Sequence, residues 1–255
     1  MSGSVLTDIS FACRSLLKDL PAAEPVRRYL DSRVSSESTQ EVFGFGYFPP
    51  SEHLGALLSL VPEASLYQTK LRYDWCDYET DSKKRAISTF EHHNLVLPYR
   101  DLYGNIVSIV GRTMLPDWEA KLIGIPKYRN TSFRKGNHLF GMYEAKESII
   151  KHDCVVVTEG QFDCIGAYSH GVKNVVALGS ASMTMYQLSL ILRYTSTIYL
   201  FLDNDDAGRN GTDRIIHQFK QYADFRPKSV PSGYKDIFDF LKDNPTMTMQ
   251  SLTML

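Results

Sequence analysis

Cysteine is scarce in this sequence. There are four, Cys13, Cys76, Cys154 and Cys164, and no two form a Cys-x-x-Cys pair. No Cys/His cluster has zinc-finger spacing, so no zinc is expected. Free thiols fit a reducing compartment, and Cys154, inside an apolar run, reads as a buried core residue. No run of about 18 apolar residues exists, so no membrane partner is expected. The first twenty residues lack a basic start followed by an apolar stretch, which argues against a signal peptide; a cytoplasmic location is the default expectation. The formal net charge is only −1. The chain is no polycation, and any attraction to nucleic acid must come from a local patch.

What is present is an ordinary globular mixture, 43% hydrophobic and 22% charged over 255 residues, enough for one large domain or two modest ones. The pattern divides near residue 150. Before it the reading is mixed. Residues 24–34 predict a helix, since Val26, Tyr29 and Leu30 share one face. Gly44, Gly46, Pro49 and Pro50 mark a turn-rich loop. Residues 94–99 and 105–110 predict two strands, joined as a hairpin through Asp101 to Gly104. Between Ala120 and Tyr143 there is no acid, yet Lys121, Lys127, Arg129, Arg134 and Lys135 all occur. On charge alone, such a run is a solvated loop.

After residue 150 short β-branched runs alternate with helical stretches. Strands are predicted over 153–158, 174–178, 197–202 and, more weakly, 225–230. Helices are predicted over 162–170, 185–193 and 206–222. Alternation of this kind builds βαβ units, and hence a mainly parallel sheet covered by helices on both faces.

In a parallel sheet of this type, sites form beyond the carboxyl ends of the strands. Two of the predicted strands end in acids. One runs into Glu159-Gly160, with Asp163 following. The other runs into Asp203-Asn204-Asp205-Asp206-Ala207-Gly208. Taken singly, Glu159 is a solvated turn residue and Asp206 a helix cap. Taken together at one sheet edge, the carboxylates repel one another and stay ionised only beside a cation. All-oxygen ligands suit Mg²⁺ or Mn²⁺.

Glu159-Gly160-x-x-Asp163 followed by Asp203-x-Asp205-x-Ala207-Gly208 resembles the Toprim domain, shared by DnaG-type primases, topoisomerases, some nucleases and recombination proteins. Leu178-Gly179-Ser180-Ala181 resembles a Leu-Gly-Thr-Ala turn of the primases. Lys235-Asp236-x-x-Asp239 resembles their later acidic motif, with Phe238 replacing its second acid. The upstream region resembles the DnaG polymerase core. Tyr29-Leu30-x-x-Arg33-x-x-Ser36 leads to Phe43-x-x-Gly46-Tyr47. Then come Pro98-x-x-Asp101-x-x-Gly104, Gly111-Arg112, Pro126-Lys127-Tyr128-x-Asn130, Phe133-x-Lys135-Gly136 and Leu139-Phe140-Gly141. The resemblance covers residues 24–240, and the ordered string of motifs is far more specific than any one of them.

The resemblance implies an α/β chain with a mixed, basic primase-core subdomain over 1–150, a Toprim domain over 151–240 and a tail over 241–255. It implies a DNA primase, a nucleotidyltransferase that makes RNA primers on a single-stranded DNA template from ribonucleoside triphosphates. The implied catalytic acids are Glu159, Asp203, Asp205 and Asp236. Asp163 and Asp239 join them as candidate ligands of Mg²⁺ or Mn²⁺. Glu159 is alternatively a general base. Arg112, Lys127, Tyr128, Asn130, Lys135, Gly179 and Ser180 are the implied nucleotide or DNA contacts, with a replicative helicase as partner. The lack of a zinc module suggests a minimal, phage-like form. Rival readings are a Toprim nuclease and a non-catalytic replisome DNA-binding protein. Gly44-Phe45-Gly46 lacks the third glycine of a dinucleotide fingerprint, and Gly179-Ser180-Ala181-Ser182 is not a nucleophile elbow.

Overall fold

The computed structural model of the chain describes residues 2–34, 36–77, 81–247 and 252. In chain order its elements are α1 (Ser2–Asp19), α2 (Glu24–Arg33), α3 (Glu37–Phe43), β1 (Gly46–Tyr47), α4 (Leu54–Leu58), α5 (Glu63–Gln68), β2 (Arg72–Asp77), β3 (Asp81–Ser88), β4 (Leu95–Arg100), β5 (Ile106–Arg112), α6 (Asp117–Leu122) and β6 (Tyr128–Asn130). They continue with α7 (Met142–His152), β7 (Val155–Thr158), α8 (Gln161–Ser169), β8 (Val175–Ala177), α9 (Met185–Ile191), β9 (Thr197–Phe201), α10 (Asp206–Phe219), β10 (Asp224–Pro227) and α11 (Ile237–Asp243). Three short 3₁₀ turns, Pro21–Ala23, Ser51–His53 and Lys135–Asn137, lie between them. The tail expected over 241–255 lies partly outside the described residues.

Two compact units form, and both are discontinuous in sequence. The first comprises Met1–Ser32, Phe43–Tyr99 and Asn105–Phe133. It carries a sheet of order β1-β4-β5-β6, with β1 antiparallel to β4 and β6 antiparallel to β5. β2 and β3 form a separate antiparallel pair. Helix α1 packs on this sheet through Leu6, Ile9, Cys13, Leu16 and Leu17, all buried along one face at helical spacing. Gly46 makes that approach possible: a Cβ there would stand 2.7 Å from Cys13 Cβ. Part of the expected loop at Gly44–Pro50 is therefore strand.

The second unit comprises Arg33–Val42, Arg100–Gly104 and Arg134–Leu255. Its sheet is entirely parallel, ordered β10-β9-β7-β8. Val155, Val157, Val176, Ile198 and Leu200 are fully buried between flanking helices, with Ile149, Leu188, Ile191 and Phe219 among the residues that cover them. These continuous apolar runs are what a strand buried on both faces requires. Every strand and helix expected after residue 150 is present, with ends shifted by a few residues. The weak last strand spans Asp224–Pro227 at the sheet edge, where a proline is tolerated, and Lys228 N still donates to the Leu200 carbonyl (2.9 Å). Cys154 is half-buried, a correction to the expected core thiol. It precedes β7, and its sulfur accepts a contact from Asn174 Nδ2 at 3.4 Å. Cys13, Cys154 and Cys164 are free thiols; the side chain of Cys76 lies outside the described part. No described helix is long and apolar enough to cross a membrane.

Candidate functional site

The strand order sets where a site can form. The chain enters the parallel sheet at β7, moves outward to β8, then returns to the other side of β7 with β9 and β10. The order therefore reverses between β7 and β9. Crevices open at such switch points, beyond the carboxyl ends of the strands. Thr158 at the end of β7 is paired in register with Phe201 at the end of β9. Glu159 follows the first and Asp203 the second, so the two acids leave neighbouring strands at the same edge.

The acids are not equivalent. Burial, then the charges of Asp203 and Asp205, push the Glu159 carboxyl above its usual range, against a smaller pull from Lys235 and the Asp203 backbone. Its Oε2 is buried with no hydrogen-bond partner among the described residues. Asp203 is likewise raised, by burial first and by Asp236 and Asp205, with Lys235 opposing. Asp163 is pushed up to about 7 by burial and by the charges of Asp236 and Asp203. Burial first, and mutual repulsion second, accounts for all three.

Asp163, Asp205 and Asp236 each commit one oxygen to a helix start. Asp163 Oδ2 accepts from Gly160 N (3.0 Å), Asp205 Oδ1 from Gly208 N (2.9 Å) and Asp236 Oδ1 from Asp239 N (2.9 Å). These bonds satisfy otherwise orphaned N–H groups and fix the carboxylates in place. The cap of α10 is thus Asp205 and not Asp206, which pairs with Arg209 at 2.7 Å. Asp239 turns toward Arg33, 4.0 Å away. Phe238, in the position of the missing acid, is buried against Gly166 of α8.

Two residues went unassigned in the sequence reading. Asn204 ties the segment before α11 to the Asp203 turn: its N–H donates to the Lys235 carbonyl (2.8 Å) and its Nδ2 to the Tyr234 carbonyl (3.3 Å). Lys235 thereby reaches Asp203, with Nζ 3.6 Å from Oδ2. Partial burial pulls the Lys235 ammonium down, but the carboxylates of Asp203, Asp236 and Asp163 outweigh it and hold it above its ordinary value. Only the Lys-Asp pairing in the motif hinted at this; the contact itself is long-range. A cleft of about 340 Å³ opens beside Asp203, with Asn204, Arg209, Thr212 and Lys228 in its lining.

The other candidates fall into two groups. Lys135, Gly179 and Ser180 gather beside Glu159. Gly179 N donates to the Glu159 carbonyl (2.8 Å), and Lys135 Nζ donates to the Gly179 carbonyl (2.6 Å). Gly179 has φ +77°, a conformation that disfavours a side chain. Arg112, Lys127, Tyr128 and Asn130 belong to the first unit. Arg112 and Tyr128 face each other across β5 and β6, and the Lys127 carbonyl accepts from Thr113 N (3.0 Å). Arg112 stacks over the Tyr29 ring, 4.5 Å from its centroid.

As they stand, no three His, Cys, Asp or Glu side chains among the described residues are arranged to hold a metal ion. The donor chemistry nevertheless fits a hard cation. The cluster is all oxygen, mutually repelling, and includes the buried, unpartnered Oε2 of Glu159. The Lys235 ammonium, 3.6 Å from Asp203 Oδ2, lies beside one of these donors.

Comparison with known proteins gives the family. Residues 13–146 match the family described as DNA primase catalytic core, N-terminal domain. The chain belongs to that family. Residues 156–241 match a Toprim-like model. The chain is 32% identical over 234 residues to the DNA primase of Aquifex aeolicus, covering 91% of this chain and 44% of that protein. It also resembles the crystal structure of the zinc-binding and RNA polymerase domains of the Aquifex aeolicus primase, with TM-score 0.82, 28% identity and coverage of 99% of this chain and 60% of that one. A DnaG primase catalytic domain bound to single-stranded DNA has the same fold, with TM-score 0.77, 23% identity and coverage of 95% and 76%. The chain thus spans less than half the length of its Aquifex relative.

Proposed function

We propose that this chain is the catalytic core of a DNA primase, making short RNA on a single-stranded DNA template by divalent-metal-assisted nucleotidyl transfer. The observation that carries the reading is the convergence of Glu159, Asp163, Asp203, Asp205 and Asp236 at the switch point of a parallel sheet, in a chain of the primase core family.

Glu159, Asp203 and Asp205 would hold the metal, Mg²⁺ or Mn²⁺, with Asp236 and Asp163 in support. When bound, the ions supply charge stabilisation at the attacking 3′-oxygen and the leaving pyrophosphate. Capping by Asp205 and Asp236 keeps those side chains from turning away before substrate arrives. Asp163, its carboxyl pushed up to about 7 by burial first, carries less than a full negative charge near neutrality and so limits the net charge of the cluster. Lys135, Gly179 and Ser180 border Glu159 and would face the nucleotide. Arg112 and Lys127 would neutralise template or nucleotide phosphates, and Tyr128 and Asn130 would line the same track. The DNA-bound structure of a related catalytic domain supports single-stranded DNA as the template class. A replicative helicase is the proposed partner.

The test is incubation of the protein with single-stranded DNA, ribonucleotides and Mg²⁺ or Mn²⁺. RNA products support priming. Cut DNA would instead indicate a nuclease, and binding without either product a scaffold.

A further inference from the structure

We propose that Lys235 is the resident counter-ion of the carboxylate cluster and that it sets how tightly the cluster takes a divalent cation. The inference rests on the reading of that cluster as a metal site.

Among the described residues, Lys235 is the only cation within ion-pair distance of Glu159, Asp163, Asp203, Asp205 or Asp236, with Nζ 3.6 Å from Asp203 Oδ2. Its backbone is held from both sides. Asn204 N bonds its carbonyl at 2.8 Å, and Asn204 Nδ2 bonds the preceding carbonyl, Tyr234, at 3.3 Å. On the other side Asp236 caps α11, and Tyr234 packs edge-on against Phe240 of that helix, 5.2 Å between centroids. The lysine is therefore delivered to the acids by a fixed frame. Its side chain is far more open to solvent than the acid it reaches, 62% exposed against 19% for Asp203. A backbone pinned at the acid cluster and a charged end open to solvent suit an occupant that a dication can displace.

The physical consequence follows from like-charge repulsion. Carboxylates crowded in a partly desolvated pocket need positive charge. One ammonium supplies part of it. A dication seeking Asp203 must either displace that ammonium or sit beside it, and both lower its affinity. Removing the lysine charge leaves the cluster more negative and emptier, so metal should bind more tightly. Solvent screening of an exposed lysine keeps the effect modest, about fivefold. A lysine that merely decorated the surface would have no such effect.

The experiment is a Mn²⁺ titration of the full, chelator-stripped chain without nucleotide, with free Mn²⁺ followed by electron paramagnetic resonance. Wild type, Lys235→Met and Lys235→Arg are compared. Lys235→Met should bind with a dissociation constant about fivefold lower, while Lys235→Arg, which keeps the charge, should stay within about twofold of wild type. Thermal melting gives a second readout. Stripped Lys235→Met should melt below wild type, and saturating Mn²⁺ should raise it by more than it raises wild type. Equal or weaker Mn²⁺ affinity in folded Lys235→Met overturns the counter-ion role. Absence of Mn²⁺ binding in every chain, wild type included, overturns the metal-site reading itself.

Discussion

Phe238 of α11 lies against Gly166 of α8 so closely that no methyl group fits between them. Arg33 covers the same ring, 5.1 Å from its centroid, and also reaches Asp239. The phenylalanine that replaces an acid of the resembled motif is therefore the joint between two helices. Phe238→Asp should not create a metal ligand. It buries a carboxylate where apolar packing stood, and should cost roughly 3–5 kcal/mol in urea unfolding. Gly166→Ala, which overpacks the same joint, should cost roughly 1–3 kcal/mol. A Phe238→Asp chain of wild-type stability and tighter Mn²⁺ binding would contradict this account.

Asp163 makes the stability of the metal-free chain depend on pH. Its carboxyl is pushed from 3.8 to about 7, by burial first and then by Asp236 and Asp203. Between those values the folded chain holds a proton that the unfolded chain has released. The resulting stabilisation is complete below about 3.8, is lost as pH rises through about 7, and is on the order of 4 kcal/mol at most. Melting in chelator should show stability falling as pH rises from about 4 to about 7, with Asp163→Asn flattening the slope. Parallel curves for the two proteins would remove Asp163 as the cause.

Lys127 tests the first unit. Lys127→Ala should weaken binding of single-stranded DNA and reduce the slope of log K against log salt by about 0.7, the loss of one phosphate contact. Fluorescence anisotropy at several salt concentrations measures it. An unchanged slope would place Lys127 outside the phosphate track.

How far the sequence could be read follows from which contacts are local. Val155–Thr158, Val175–Ala177 and Thr197–Phe201 stood out because strands buried on both faces have no polar alternation to blur them. The acids after β7 and β9 were legible from the same pattern, since strand ends mark one sheet edge. Helix α1 carries the apolar spacing Leu6, Ile9, Cys13, Leu16, Leu17, a helical face that holds none of the site residues. The choice between Asp205 and Asp206 as cap depended on a single backbone turn. The two units were illegible as drawn, because Arg33–Val42 and Arg100–Gly104 join a unit made mostly of residues after 133. The stitch from Asn204 to Lys235 was hidden for the same reason: 31 positions separate 204 from 235, and nothing periodic connects them.

The most direct test of the central claim is the rate of RNA synthesis by purified Asp203→Ala on single-stranded DNA with ribonucleotides and Mg²⁺ or Mn²⁺, beside wild type. Circular dichroism would confirm that both are folded. The wild-type chain should make RNA that disappears on chelation, and the variant should make none while melting no lower in chelator, since burial and the charges of Asp236 and Asp205 outweigh the pull of Lys235 on the Asp203 carboxylate. A folded Asp203→Ala chain that primes at the wild-type rate would contradict the account.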